Sequence, residues 1–409
     1  MRILFCSRRF FPAISGMSVY ASNLLEQLVA GGHDVTMVSQ YRGDPVGTRV
    51  YGGGPPPPVP GVRVLGRQAL GEENGGDFER DIDDMIAVIR EEHARQPFDL
   101  LHAQYGYPNG WAVLLAAREL GIPTVVSIQG GDGHWVGSCC ENHRLAMIRV
   151  LEHANAVLIG CDSFAGEVVD RLGVSRDLFT IVPGAVDIGR FHPEPGRAPG
   201  DASDPVRLLY HGRVDRRKGA LDFIDALAIL RAEGVPFAAT VSGIGPDLDA
   251  SRDLAATRGL SDAVRFSGYA GYDEAPAIYH GQDVFVSPTY MEGFSNTVLE
   301  AMASALPVVS CRAVGVMDCI RDGENGLLTE PGDVPAHADA LRRIITDASL
   351  RRRLAADALA ECRATYSWQA VGRQIVGVYR DVLGHAPSTT FDTALPRDPC
   401  RYRDTPHLL

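Results

Sequence analysis

The sequence predicts an α/β protein of two halves, each an open parallel sheet covered by helices, with the two sheets facing across a cleft. Three observations lead there. Short apolar runs alternate with amphipathic helical segments through most of the chain. A stretch rich in Pro, Gly and Asp, 192–205 (HPEPGRAPGDASDP), interrupts that alternation in mid-chain and reads as a hinge. The 409 residues, 45% of them hydrophobic, also suffice for two cores.

The first half, 1–191, opens with a strand over 3–6; its start, MRILFCSRRFF, has no h-region and reads as buried strand rather than signal peptide. The loop 11–18 leads into a helix with Val19, Leu24, Leu25, Leu28 and Val29 on one face, ended by Gly31 and Gly32, and 35–39 is the next strand. Gly16 stands close to that helix start. It makes either an ordinary tight turn or a place where an anion approaches backbone N–H groups. The run 52–61 (GGGPPPPVPG) forms neither helix nor central strand, and 78–95 is an acid-rich helix. Strands over 98–104 and 124–129 flank a helix over 110–120, a Gly-rich loop occupies 129–143, and α/β alternation resumes over 156–181. His134, Cys139, Cys140 and His143 in that loop can be read as a metal set. Adjacent cysteines suit a tetrahedral site poorly, so a loop shaping an acceptor pocket, or a plain surface connection, reads better.

The second half, 206–366, begins with a strand over 206–210. Helices over 220–233, 248–258 and 274–280 alternate with strands over 237–242, 264–267 and 283–287. The stretch 288–305 (PTYMEGFSNTVLEAMASA) then passes from loop to helix, with Ser295 or Asn296 as N-cap, and a strand over 307–311 follows. After 328 only helices are expected. The segment 367–384 is a helix packing back on the first half, and 385–409, poor in apolar periodicity, is a loose tail.

A net charge of −12 excludes nucleic acid as a partner, and no apolar run nears the ~20 residues that span a bilayer, so a membrane partner is not expected. Eight cysteines without regular spacing point to a reducing cytoplasm. Of the 39 basic residues Lys218 alone is lysine, in HGRVDRRKG (211–219), directly after a strand. Arg213 and Lys218 there offer a fork-shaped and a point-like cation at a helix start, a plausible diphosphate clamp. The turn SGIGP, containing Gly243, gives a flat base room to lie against backbone. Asp81-Ile-Asp83 and Asp247-Leu-Asp249 have the spacing of a metal-binding acid pair but sit in helical stretches, where solvated helix acids are the simpler reading.

With these motifs the chain resembles the retaining glycosyltransferases of family 4, whose GT-B fold pairs two Rossmann-like domains. The resemblance rests on Arg213 to Lys218, Glu292 to Glu300, SGIGP, Gly268-Tyr269, DGENGLL (322–328) and Pro331-Gly332-Asp333, in this order and spacing, and extends to about residue 383. It implies a metal-independent hexosyltransferase that uses a nucleotide-sugar, UDP-linked above all; the acidic composition adds the expectation of a small soluble acceptor in the cytoplasm, and the arginine-for-lysine bias of a high-GC genome that of a specialised metabolite such as an aminocyclitol. It also implies roles. Arg213 and Lys218 would bind the diphosphate and Glu300 the ribose. Glu292 would sit beside the transferred sugar, catalytic together with the two cations. N–H groups of Phe294, Ser295 and Asn296, with Gly16 and Gly243, would complete the donor site. Gln129 and Asp132 would face the acceptor, and His102 either joins them or is a packed core histidine. No cofactor is implied.

Three departures stand out: Ser15-Gly16 replaces the family's Gly-Gly, Gln129 stands where many members carry histidine, and Pro183-Gly184-Ala185-Val186-Asp187 alters a familiar hinge sequence. Gln129 donates hydrogen bonds but cannot act as a base. Two other readings share the fold: a nucleotide-sugar epimerase, and a non-catalytic nucleotide-sugar-binding protein.

Overall fold

A computed structural model describes residues 1–13, 15–43, 53–271 and 273–404. Residue 52 of the expected Pro-rich loop, Ile14 of the first loop and 405–409 of the expected tail lie outside the described residues. The chain divides into two units: Met1–Pro183 with the chain from Val371 onward, and Gly184–Ala370. The 192–205 stretch is thus not the divide. Arg197 pairs there with the buried Asp283, and Gly200 O accepts from Arg351 Nε, which ties the stretch into the second unit.

The first unit contains β1 (Arg2–Ser7), α1 (Gly16–Ala30), β2 (Asp34–Tyr41), β3 (Val62–Gln68), α2 (Leu70–Glu73), α3 (Phe78–Arg95) and β4 (Leu100–Gln104). There follow α4 (Trp111–Leu120), β5 (Thr124–Ile128), α5 (Gly130–Trp135), α6 (Glu141–His153), β6 (Ala156–Ile159), α7 (Asp162–Leu172) and β7 (Phe179–Ile181). The strands form one parallel sheet in the order β3-β2-β1-β4-β5-β6-β7. Its central strands read as unbroken apolar runs because helices cover both faces; Ile3, Leu4, Phe5 and Cys6 are fully buried. The strand β3 was not expected: it is an edge strand, and its half-exposed Val-Arg-Val alternation is a weak signal.

The second unit contains β8 (Val206–His211), α8 (Ala220–Ala232), β9 (Phe237–Ser242), α9 (Leu248–Thr257), β10 (Val264–Gly268), α10 (Ala275–Tyr279), β11 (Val284–Ser287), α11 (Asn296–Ala303), β12 (Val308–Cys311) and β13 (Leu327–Thr329). Two helices, α12 (Val334–Thr346) and α13 (Ala348–Thr365), close it. Its parallel sheet runs β10-β9-β8-β11-β12-β13. One core joins the sheet to α8 and α12 through Leu208, Phe223, Leu227 and Leu341; the other joins it to α11 and α13 through Phe285, Leu299, Met302 and Cys362.

From Val371 the helix α14 (Trp368–Val382) belongs to the first unit, where Tyr379 hydrogen-bonds His102. Two expectations fail. The 129–143 stretch is not a loop throughout: Asp132 Oδ1 accepts from Gln129 N at 2.8 Å and so caps the start of α5. Residues 386–404 are not loose either. Asn155, Arg149 and Asn142 donate to the carbonyls of Ala386, Ala394 and Pro396, and Phe391 stacks on His153. A short helix α15 (Arg401–Asp404) buries Tyr402 and pairs Arg403 with Glu79. A strap that meets its backbone needs through a neighbour's side chains carries no periodicity, so the sequence gives no sign of it.

Candidate active site

The second sheet reverses its winding between β8 and β11, and in open α/β sheets ligands bind beyond the strand ends at such a switch point. The loops leaving these two strands carry Arg213 and Lys218, and Glu292 with the start of α11. Asp215 and Asp247 shape the first loop. Asp215 Oδ1 accepts from Arg217 N at 2.9 Å and Asp247 Oδ2 from Arg216 N at 2.8 Å, folding a single 3₁₀ turn that ends at Lys218. Gly219 then lets the loop press on its neighbour. Its φ is +69°, and a Cβ there would lie 2.0 Å from Pro288 O. Gly243 does the same for SGIGP, with φ +138° and a Cβ 1.8 Å from Gly212 O. That turn is zipped to the first loop by Gly212 N to Ser242 O and Val214 N to Ile244 O.

Lys218 Nζ lies 2.7 Å from Glu292 Oε2 and donates to Met291 O at 3.1 Å. An ammonium has three donors, so one is left to turn toward an anion. Arg213 is exposed: Tyr210 donates to its carbonyl at 2.8 Å, and among the described residues its guanidinium is paired only with Asp215, through Nε at 3.4 Å, which leaves its outer edge open. Glu292 is held by its own backbone: its N–H donates to Val314 O at 2.9 Å, and Gly315, at φ +76°, permits the close approach of Glu292 O. Ser295 is the N-cap of α11, as expected, but its N–H donates to Gly315 O at 3.3 Å and is not available to a ligand. Asn296 N, at the positive end of the helix, has no acceptor among the described residues. Phe294 packs its ring on Tyr366 and against the backbone of Gly184, where a Cβ would stand 2.6 Å from the ring.

Glu300, one turn into α11, accepts from Tyr279 at 2.6 Å. Burial pushes its carboxyl up to about 7, against the opposing effects of Tyr279 and the Arg190 charge. The motifs at the far end are structural. Asp333 caps α12 through Ala336 N, Asp322 accepts from Leu328 N, and Asn325 bridges Arg321 N, Cys319 O and Glu361. The acid pairs are engaged as well: Asp247 holds Arg216, while Asp81 accepts from Gly71 N and Glu72 N.

In the first unit the switch point lies between β1 and β4. Gly16 is the exposed first residue of α1, capped by Ser15, whose Oγ accepts from Ser18 N. Gln129 stands at the end of β5, and its Oε1 accepts from Gln104 at 3.3 Å. Gln104 was missed by sequence reasoning. Fully buried at the end of β4, it also donates to Met17 O and accepts from Ser7, so one amide joins the ends of β1, β4 and β5 to the start of α1. The sequence carries no signal for it; only the structure shows that the next residue, Tyr105, holds φ +87°, where the chain turns away from the strand end.

Two acceptor expectations are corrected here. His102 is fully buried between Tyr379 (2.5 Å) and Ser127 (2.7 Å), and burial brings its imidazole down to about 3. It is a neutral core histidine that ties α14 to the sheet. Asp132 is also fully buried. Its oxygens accept from Gly106 N and Gln129 N, and burial raises its carboxyl to about 7 despite these bonds. It positions the Gln129 backbone and does not itself reach a ligand.

Known proteins resemble this chain in both units. Residues 15–185 match the family described as glycosyl transferase 4-like domain, and 197–360 match glycosyl transferases group 1. The D-inositol 3-phosphate glycosyltransferase of Stackebrandtia nassauensis is 30% identical over 323 residues, covering 72% of this chain and 71% of that protein. The glycogen synthase of Mycobacterium tuberculosis (strain ATCC 25618 / H37Rv) is 27% identical over 400 residues, 93% of this chain and 94% of that one. The crystal structure of Anabaena HepE in complex with UDP and glucose superposes with a TM-score of 0.69 at 18% identity, covering 93% of this chain and all of that one. No helix among the described residues is long and apolar enough to cross a membrane.

The backbone approach at Gly219 gives a direct test of whether these loops bind a nucleoside diphosphate. Gly219→Ala places a side chain at positive φ and against Pro288 O, a strain of about 1–3 kcal/mol. Titration calorimetry is expected to show nucleoside diphosphate affinity reduced roughly 10-fold, with Pro288 pushed away from the Lys218 turn.

Proposed function

The chain belongs to the GT-B glycosyltransferases, and from that premise we propose that it transfers a hexose from a UDP-sugar to a small polyol acceptor with retention of anomeric configuration. One observation carries the reading: the sole lysine of the chain stands at the switch point of the second unit, 2.7 Å from Glu292, with Arg213 open beside it in the same loop. Arg213 and Lys218 receive the diphosphate and stabilise the charge that grows on it as the glycosidic bond breaks. The N-terminus of α11 adds its positive dipole end through Asn296. Glu292 orients Lys218 and borders the sugar. Glu300 accepts from the ribose hydroxyls. Glu292 is engaged by Lys218 at 2.7 Å and serves to orient it, so the acceptor's proton goes to the leaving phosphate as the hydroxyl attacks from the same face. Inositol phosphates are the acceptor class to try first, given the name of the Stackebrandtia relative, and aminocyclitols, the class expected from the sequence, come next. Gln129, held by Gln104, supplies a hydrogen bond to an acceptor or sugar hydroxyl, and Gly16 meets the phosphate.

The reading is tested by incubating the protein with UDP-hexoses and a panel of polyols. Acceptor-dependent release of UDP, with an α-glycoside by NMR from an α-linked donor, supports it. An epimerised nucleotide-sugar formed from the donor alone would replace it with the epimerase reading.

Glu300 adds a pH test. Its carboxyl titrates near 7, so it becomes a full acceptor for ribose only as the pH rises through that value. The affinity of wild type for UDP relative to Glu300→Gln is expected to increase from pH 6 to pH 8 by several-fold, read by calorimetry at about pH 6, 7 and 8. The folded pKa lies above the ordinary carboxyl value, so ionisation of Glu300 costs stability as the pH rises through the window between them. Glu300→Gln should therefore be no less stable than wild type at pH 8.

A further inference from the structure

We propose that Cys139, Cys140, His143 and Cys400 form a binding site for a thiophilic divalent cation of the zinc type, which fastens the C-terminal strap to the first unit. The four ligand atoms all lie within 4.8 Å of one another. Cys139 Sγ is 3.2 Å and Cys400 Sγ 3.7 Å from His143 Nδ1. A tetrahedral zinc ion with sulfur at ~2.3 Å and nitrogen at ~2.0 Å has ligand-to-ligand edges of roughly 3.5–3.8 Å, so only small shifts close the set around an ion.

Hydrogen bonding alone does not account for the grouping. Neutral imidazole offers one lone pair, at one ring nitrogen, yet two sulfurs crowd His143 Nδ1 with a third close by. The ring is fixed for such a role: His143 is fully buried, tilted against Tyr107 at 4.3 Å and stacked with Tyr402 at 6.4 Å. Three sulfurs and one imidazole make a soft donor set that selects zinc over magnesium or calcium.

The sequence places this cluster only in part. His134, which the local spacing offers as a ligand, is withdrawn by Glu167, 2.8 Å from its Nδ1. Its replacement is Cys400, 257 residues from His143. The objection to adjacent cysteines applies to a site made by one short loop. Here Cys139 lies in the bend before α6, Cys140 is the N-cap of α6 with His143 in its first turn, and the strap brings the fourth ligand from outside. Binding exchanges three S–H bonds for three metal–sulfur bonds and releases three protons to solvent, with no change of oxidation state. The site closes a loop of more than half the chain. It lies on the segment that follows α5, so it also braces the helix that begins beside Gln129.

The test is metal analysis of the full chain purified without chelator from zinc-replete cells, together with anaerobic Co²⁺ exchange. About one zinc per chain is expected, with intense thiolate-to-cobalt absorption, and Cys400→Ser should lower zinc occupancy at least ~10-fold at a fixed low zinc concentration. Cys362→Ser, a buried cysteine of the second unit, should leave it unchanged. Zinc well below stoichiometry with no cobalt–thiolate bands overturns the proposal, as does a reductant-sensitive disulfide among these cysteines by mass spectrometry. The wild-type measurements decide the matter even if Cys400→Ser does not fold.

Discussion

Lys218→Ala is expected to lower glycosyl transfer about 100–1,000-fold while leaving the melting temperature close to wild type. The two halves of that expectation have separate causes. The Lys218 side chain is 32% exposed and is absent from both cores of its unit, so its removal opens no cavity. Its ammonium, however, neutralises Glu292 at 2.7 Å. Without it, a carboxylate stands alone beside the place where the diphosphate is proposed to sit, and repulsion adds to the lost attraction. Lys218→Arg should rescue poorly, because a planar fork cannot take the position of a point charge that also serves Met291 O. Lys218→Ala combined with Glu292→Gln should recover part of the UDP affinity but little of the turnover. Near-normal transfer by Lys218→Ala, measured as UDP release with circular dichroism confirming the fold, would refute the diphosphate assignment.

The two sheets were legible because a parallel sheet covered on both faces writes itself as apolar runs, and β1, β5 and β11 are such runs. The loops proposed to hold the donor were legible for a related reason. Their charged and Gly residues follow strand ends directly, where chain order and spatial position coincide. What stayed hidden depends on long-range partners. His102 looks the same in sequence whether it faces a ligand or Tyr379, a residue 277 positions away. Asp132 reads as an exposed loop acid until Gly106 N and Gln129 N are found on it. Cys400 could not join Cys139 and His143 on paper, because the strap that carries it has no period of its own. The 192–205 stretch misled in the opposite direction. Pro and Gly mark irregular backbone, and here Arg197 and Arg351 bind that backbone into the second unit.

Glu72→Gln should destabilise the first unit by about 3–5 kcal/mol, a fall in melting temperature of roughly 6–20 °C. Glu72 is 1% exposed and lies 3.0 Å from both Arg8 and Arg9 and 3.2 Å from Arg42. Arg8 is itself 1% exposed, and among the described residues none of its side-chain nitrogens meets an acceptor in hydrogen-bond geometry, so Glu72 is its principal compensation. Amide in place of carboxylate leaves that guanidinium buried with its charge unanswered, which is worse than removing both partners. Arg8→Met added to Glu72→Gln should therefore recover part of the loss, an outcome that a purely steric role for Glu72 does not give. The pH dependence has a definite sign. Burial pushes the Glu72 carboxyl up, but the facing Arg8 and Arg9 charges and the hydrogen bonds from Arg9 and Arg42 outweigh it and hold it down to about 2. A depressed carboxyl contributes stability that is present above its unfolded pKa, ~4.3, and is lost as the pH falls through the folded value. The stability gap between wild type and Glu72→Gln, followed by thermal unfolding, should be constant above about pH 5 and shrink steadily toward pH 2. A gap that stays flat across that range would mean that Arg8 owes its burial to another partner.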